Sequence, residues 1–171
     1  GADRIKKQSG AKGLKKQAAH YDFCSIVNHQ KKEKFMKSVL IIGLGRFGTY
    51  MAKKFTELGN HVMALDTDEE KINEILPFVT SAQIGDGTKA AVLESIGIDN
   101  FDICVVCVGE NFQSSLETTS LLKEAGAKFV LSRASTEIQA KFLLRNGADE
   151  VVFAEKEMAE RLAVKYSANN I

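Results

Sequence analysis

No continuous apolar run in the chain approaches the ~18 residues that a membrane-spanning helix needs, and no secretory signal is visible. Any membrane connection is therefore expected to come through a partner. Cysteine occurs only three times in 171 residues, too few and too scattered for a disulfide framework. A reducing cytoplasm is the expected setting. No G-x-S-x-G motif, no Walker A loop and no pair of carboxylates at a catalytic spacing is present. Proline occurs once, at Pro77, and tryptophan not at all. What remains is ordinary for a globular protein: 44% hydrophobic and 26% charged residues, enough for one domain with a real core.

The net charge of +1 hides an asymmetry. Residues 1–35 carry nine basic and three acidic side chains, a balance of +6, and the remainder is at −5. The break falls at Phe35-Met36. The chain begins with Gly1, and Met36 stands where a natural start would stand, just before the first strand. Residues 1–35 are accordingly expected to be a leader, linker or fused arm, and residues 36–171 the domain. The lysines of the arm lack interleaved aromatics and the domain is acidic, so no nucleic-acid partner is expected. His20, Cys24 and His29 find no fourth ligand at a convincing spacing, so no metal is expected there.

The domain is organised around Ser38–Gly48, S-V-L-I-I-G-L-G-R-F-G. Val39 to Ile42 is an apolar, β-branched run suited to a buried strand. Gly43, Gly45 and Gly48 then form G-x-G-x-x-G. The first glycine suits a tight turn, the second a close backbone approach to phosphate, and the third close helix packing. Phe47, Met51, Phe55 and Leu58 recur at helical spacing before Gly59-Asn60. The helix N-terminus would aim unpaired N–H groups at an anion. A second strand, His61 to Leu65, ends in Asp66, 23 positions after Gly43. A carboxylate there can accept both ribose hydroxyls of a nucleotide.

Strand-like and helix-like segments then alternate. Asp68 can cap a helix carrying Ile72, Ile75 and Leu76, with Pro77 helping to end it. Val79 to Ile84 is the third strand, and Gly85-Asp86-Gly87-Thr88 turns into a helix stopped by Gly97. Ile103 to Val108 is the fourth strand. Asn111 caps a long helix that carries Leu116, Leu121 and Leu122 and ends at Gly126. Lys128 to Leu131, Thr136 to Arg145, Val151 to Phe153 and Glu155 to Ala168 complete the pattern. Repeated β-α units predict a Rossmann-like, doubly wound parallel α/β sheet of six strands, order 3-2-1-4-5-6. Ligand is expected at the carboxyl ends, where the order reverses.

The candidate site follows from that position. Gly43, Leu44, Gly45, Arg46, Phe47 and Gly48 form the phosphate loop, with the Arg46 guanidinium beside a pyrophosphate or terminal phosphate. Asp66, Thr67 and Asp68 follow strand 2. No lysine or arginine comes directly after Asp66, which disfavours a 2′-phosphate. Asp86, Gly87 and Thr88 line the adenine side or cap a helix through Thr88; both readings stand. Gly109, Glu110 and Asn111 follow strand 4, and Arg133 follows strand 5, within reach of a phosphate or a second subunit. Cys104 and Cys107 spell C-x-x-C, but inside a strand they face opposite sides and read as small buried hydrophobes. No histidine falls in the crevice loops, and the domain fills the chain. Binding without turnover is expected, so no catalytic residue is assigned. The alternative is the NAD-binding domain of a dehydrogenase.

These residues resemble the N-terminal lobe of RCK (KTN, TrkA-N) domains, cytosolic regulators of bacterial K+ channels and of Ktr/Trk K+ transporters. The resemblance is carried by Val39–Gly48, Ala64–Asp68 (A-L-D-T-D), Ile84–Thr88 (I-G-D-G-T), Val108–Asn111 (V-G-E-N) and Arg145–Val152 (R-N-G-A-D-E-V-V). It implies a Rossmann-like fold and an adenine nucleotide: ATP or ADP, or NAD+ or NADH. It also implies homodimers built into a ring, expected to be an octamer, on the inner face of the membrane beside a K+-translocating subunit. Glu155 to Ala168 would be the pairing arm. Glu155 resembles an acidic position where a divalent cation bridges to nucleotide phosphate; it also suits a helix N-terminus by itself. The basic arm has no place in the family pattern, and the chain stops before a C-terminal lobe, so an isolated N-terminal lobe or a shortened member is expected.

Overall fold

A computed structural model describes residues 36–109 and 111–168. Glu110, residues 1–35 and residues 169–171 lie outside the described residues. So the readings on the arm, on His20, Cys24 and His29, and on Glu110 are carried no further.

Six parallel strands run β1 (Ser38–Ile42), β2 (His61–Asp66), β3 (Ser81–Ile84), β4 (Ile103–Val106), β5 (Val130–Arg133) and β6 (Glu150–Val152). Their order is β3-β2-β1-β4-β5-β6, as the sequence predicts. The helices are α1 (Arg46–Glu57), α2 (Glu69–Ile75), α3 (Ala90–Ile96), α4 (Phe112–Glu124), α5 (Glu137–Arg145) and α6 (Ala154–Ala168).

The period-2 alternation of β1 and β4 divides the core between two faces. Val39, Ile41, Val105 and Cys107 pack with Ala52 of α1 and with Ile72 and Ile75 of α2. Leu40, Ile42, Cys104 and Val106 pack with Leu93 of α3 and Leu122 of α4. Both faces of β1 are covered, which explains its unbroken apolar run. Cys104 and Cys107 thus fall in different core clusters and are free thiols. Burial pushes the pKa of each up to about 12, consistent with packing rather than redox chemistry.

Several boundaries move for identifiable reasons. Residues Leu76–Phe78 form a 3-10 turn around Pro77, so β3 starts at Ser81 rather than Val79. β4 ends at Val106 rather than Val108, and the backbone of Cys107 and Val108 lies against Gly43 of the glycine loop. β5 and β6 sit one or two residues away from their predicted spans, which the short apolar patterns there leave loosely defined. Left-handed glycines end helices as expected: φ is 89° at Gly59, 79° at Gly97 and 86° at Gly126. Among the described residues no helix is long and apolar enough to cross a membrane.

Candidate functional site

The carboxyl ends of β1 to β5 bring most of the predicted residues to one rim. Gly43 has φ 96°, and its N–H donates to the Leu65 carbonyl at 2.9 Å, closing the turn against β2. A Cβ on Gly43 would come within 2.8 Å of the Cys107 carbonyl, so β1 and β4 meet here with no room for a side chain. At Gly48 a Cβ would overlap the carbonyl oxygen of Gly43, which is how closely α1 packs on the loop. Gly45 differs. A Cβ there would meet nothing within 4 Å. Gly45 is the N-cap of α1 with ordinary extended backbone and no side-chain cap, so the N–H groups of that helix end stay open to a ligand.

Asp66 ties this loop down. Its Oδ2 accepts from the Leu44 N–H at 2.7 Å and its Oδ1 from the Asp68 N–H at 2.8 Å. Each oxygen keeps a further lone pair that can accept another hydrogen bond. Thr67 and Asp68 are exposed, and the Asp68 carboxylate caps α2 by accepting from the Glu70 N–H at 2.9 Å. Arg46 is the first residue of α1 and exposed at the crevice mouth; Leu44 and Phe47 face the core.

The turn after β3 corrects the capping expectation. Thr88 is not the N-cap: α3 begins at Ala90 behind Lys89, which makes no side-chain cap. Asp86 organises the turn instead, its Oδ1 accepting from the Thr88 N–H at 2.9 Å and the Thr88 hydroxyl at 2.7 Å. The Thr88 hydroxyl and N–H hold the Asp86 carboxyl below its usual pKa. Gly87 is buried, since a Cβ there would press within 2.9 Å of Ile42.

On the other flank, Gly109 is exposed, and Asn111 caps α4, accepting from the Gln113 N–H at 3.1 Å. Arg133 reaches from the end of β5. Its guanidinium lies 5.7 Å from the Phe47 ring centroid, and its Nη2 donates to Glu155 at 2.6 Å. That pair ties the end of β5 to the first turn of α6, and the Phe47 contact brings in the first turn of α1. The Glu155 carboxyl is held below its usual pKa by its own backbone N–H and by Arg133. Among the described residues no three acidic, histidine or cysteine side chains cluster for a metal ion. Glu155 supplies one carboxylate, and a cation there would need its other ligands from a bound molecule or a second chain.

The sequence pattern assigns the inward side of α4 to leucines. Its buried face is Ser115, Thr118, Thr119 and Leu122, not only leucines. Thr119 and Ser132 share a buried hydrogen bond at 2.8 Å, whereas the Ser115 and Thr118 hydroxyls have no partner among the described residues. The hydroxyl-rich run S-S-L-E-T-T-S is the signal that could have drawn attention to it.

A six-stranded Rossmann-like sheet with an open, uncapped helix end after β1 and a carboxylate at the end of β2 beside it is the architecture of a nucleotide-binding class of domain. The chain belongs to the TrkA-N domain family, whose pattern matches residues 39–154. It is 42% identical over 135 residues to the Ktr system potassium uptake protein C of Bacillus subtilis (strain 168), covering 79% of this chain and 61% of that protein. The chain thus spans about three fifths of that relative's length. The TrkA-N domain of the inner membrane protein YbaL from Escherichia coli superposes with a TM-score of 0.67 at 16% identity, covering 77% of this chain and 97% of that one. The Shewanella denitrificans Kef CTD in AMP-bound form superposes at 0.63 with 23% identity, covering 78% and 82%. Those two likenesses concern the fold.

Proposed function

We propose that this chain is the nucleotide-sensing lobe of a cytosolic regulatory subunit that gates a bacterial K+ transporter or channel. The observation that carries the reading is the pairing of Asp66 with the glycine loop. A carboxylate braced by two backbone N–H groups stands beside an open helix N-terminus where a Cβ would meet nothing. This arrangement suits a ribose on one side and phosphates on the other. Kinship with a potassium uptake protein of the Ktr system supports the transport setting.

In this reading ATP or ADP, or NAD+ or NADH, lies across the crevice with its ribose on Asp66 and its phosphates on Gly43 to Gly48. Arg46 takes the terminal phosphate, and Asp86, Gly87 and Thr88 line the adenine side. The chain binds without turnover. The exposed Met158 and Leu162 of α6, one helical turn apart, supply an apolar stripe for homodimer pairing. Dimers build a ring against the inner face of the membrane, and the ring passes the nucleotide state to the K+-translocating subunit.

A ligand moves such an equilibrium only through unequal affinity for the two states. Arg133 offers a route, because it touches both Phe47 in the first turn of α1 and Glu155 in the first turn of α6. Sedimentation of the protein with saturating ATP and with saturating ADP tests the switch. Distinct assemblies support it. Equal affinities with one assembly geometry would defeat it.

A further inference from the structure

A cavity of about 300 Å³ opens between the carboxyl ends of β4 and β5. Since β1 separates β2 from β4, it lies on the opposite side of the glycine loop from Asp66. Val108 and Phe112 give it an apolar side; Ser115, Arg133, Ser135 and Gln139 give it a polar one. Its volume is at the lower end of small-molecule sites.

The polar side offers several free donors. Ser115 is 3% exposed, and its hydroxyl has no hydrogen-bond partner among the described residues. The Arg133 Nε–H is buried and likewise unpartnered among them. Gln139 spends its oxygen on the Ser135 N–H at 3.0 Å, which leaves its amide NH2 as a donor. No carboxylate is among the described residues that line the cavity, and Glu155 takes only the Nη2 end of Arg133. Native folds seldom leave two buried polar groups unmatched in one place. A group with several acceptor oxygens answers all of them.

We propose that this cavity binds a small free oxyanion, a short-chain carboxylate or inorganic phosphate, one oxygen accepting from Arg133 Nε and another from Ser115 Oγ. The guanidinium is planar and matches such an oxyanion geometrically. The Phe112 and Val108 side accommodates a few carbons. Because Arg133 also holds Glu155 and stacks near Phe47, the anion would sit on the link between the glycine loop and α6. The site does not require the nucleotide reading to be correct.

The test is amide and guanidinium NMR of the full chain, titrated at matched ionic strength with succinate and, separately, with inorganic phosphate, AMP and ATP. Saturable shifts at Gly109, Phe112, Ser135 and the Arg133 Nε–H with succinate or phosphate are expected; the tighter of the two names the source. Ser115→Ala should weaken that binding about tenfold while the thermal midpoint holds or rises, since a buried hydroxyl without a partner is removed. Arg133→Lys, which keeps the charge and loses Nε–H, should weaken it further. Shifts confined to Gly43–Gly48, no saturation with either oxyanion, or an unchanged affinity in Ser115→Ala would each overturn the proposal. Shifts in the cavity with ATP alone would overturn it too, by giving the space to the tail of a nucleotide.

Discussion

The backbone N–H of Leu44 donates to Asp66 Oδ2 at 2.7 Å, so the carboxylate proposed to hold a ribose also braces the loop proposed to hold phosphate. The two halves of the crevice are mechanically one unit. A ligand that draws on Asp66 acts on the position of the glycine loop, and a change at Asp66 does not act on the ribose alone.

Replacing Asp66 should therefore have two effects. Asp66→Ala removes both backbone bonds and the ribose acceptors, and should weaken adenosine ligands by about 1–3 kcal/mol. Asp66→Asn keeps one acceptor oxygen, presents an NH2 to the other backbone N–H, and should also lower stability by about 1–2 kcal/mol. Calorimetry with nucleotide and denaturant unfolding without it separate the two effects.

The glycines of the loop should part company in the same way. Gly48→Ala forces a methyl onto the Gly43 carbonyl and should cost about 2–3 kcal/mol of stability, read by denaturant unfolding. Gly45→Ala places its methyl in open space, on backbone that alanine adopts, and should leave stability within about 1 kcal/mol. Its expected cost falls on nucleotide affinity instead. Equal losses of stability in both variants would argue that Gly45 serves the fold rather than a ligand.

This division shows what the sequence could and could not say. The strand order and the loop were legible because β1 and β4 are buried on both faces and the glycine spacing carries its own geometry. That Asp86 rather than Thr88 organises its turn was not, since either side chain can bond a nearby N–H and only the backbone path decides. The cavity beside Ser115 was hidden because a leucine-based reading of α4 assigns its buried face to apolar residues. Arg133–Glu155 joins positions 22 apart, a distance that no local pattern encodes.

Asp86 gives a pH signature. The Thr88 hydroxyl and N–H lower its folded pKa below the ordinary 3.8, so its contribution is present above that value and is lost as pH falls through the folded pKa. The thermal midpoints of the parent and of Asp86→Asn should differ by a constant amount above about pH 5. The gap should close as the pH falls below the ordinary carboxylate range. A gap that persists undiminished in acid would mean that the charge of Asp86 contributes nothing.

Cys104 and Cys107 should resist thiol reagents in the folded protein. With pKa values pushed up to about 12 by burial, both stay protonated and enclosed at pH 8. Peptide mapping after labelling should find both unmodified in buffer and both modified in denaturant. Rapid native labelling of either would contradict their place in the two core clusters.

The central claim is that the crevice braced by Asp66 holds an adenine nucleotide as a signal. Calorimetric titration of the chain with ATP, ADP, NAD+ and NADH, with assembly followed by light scattering, tests it most directly. The account predicts saturable binding of at least one of these ligands, weakened in Asp66→Ala, with a change in assembly that depends on which ligand is bound. Binding by none of the four would contradict it and leave the glycine loop a packing device for α1.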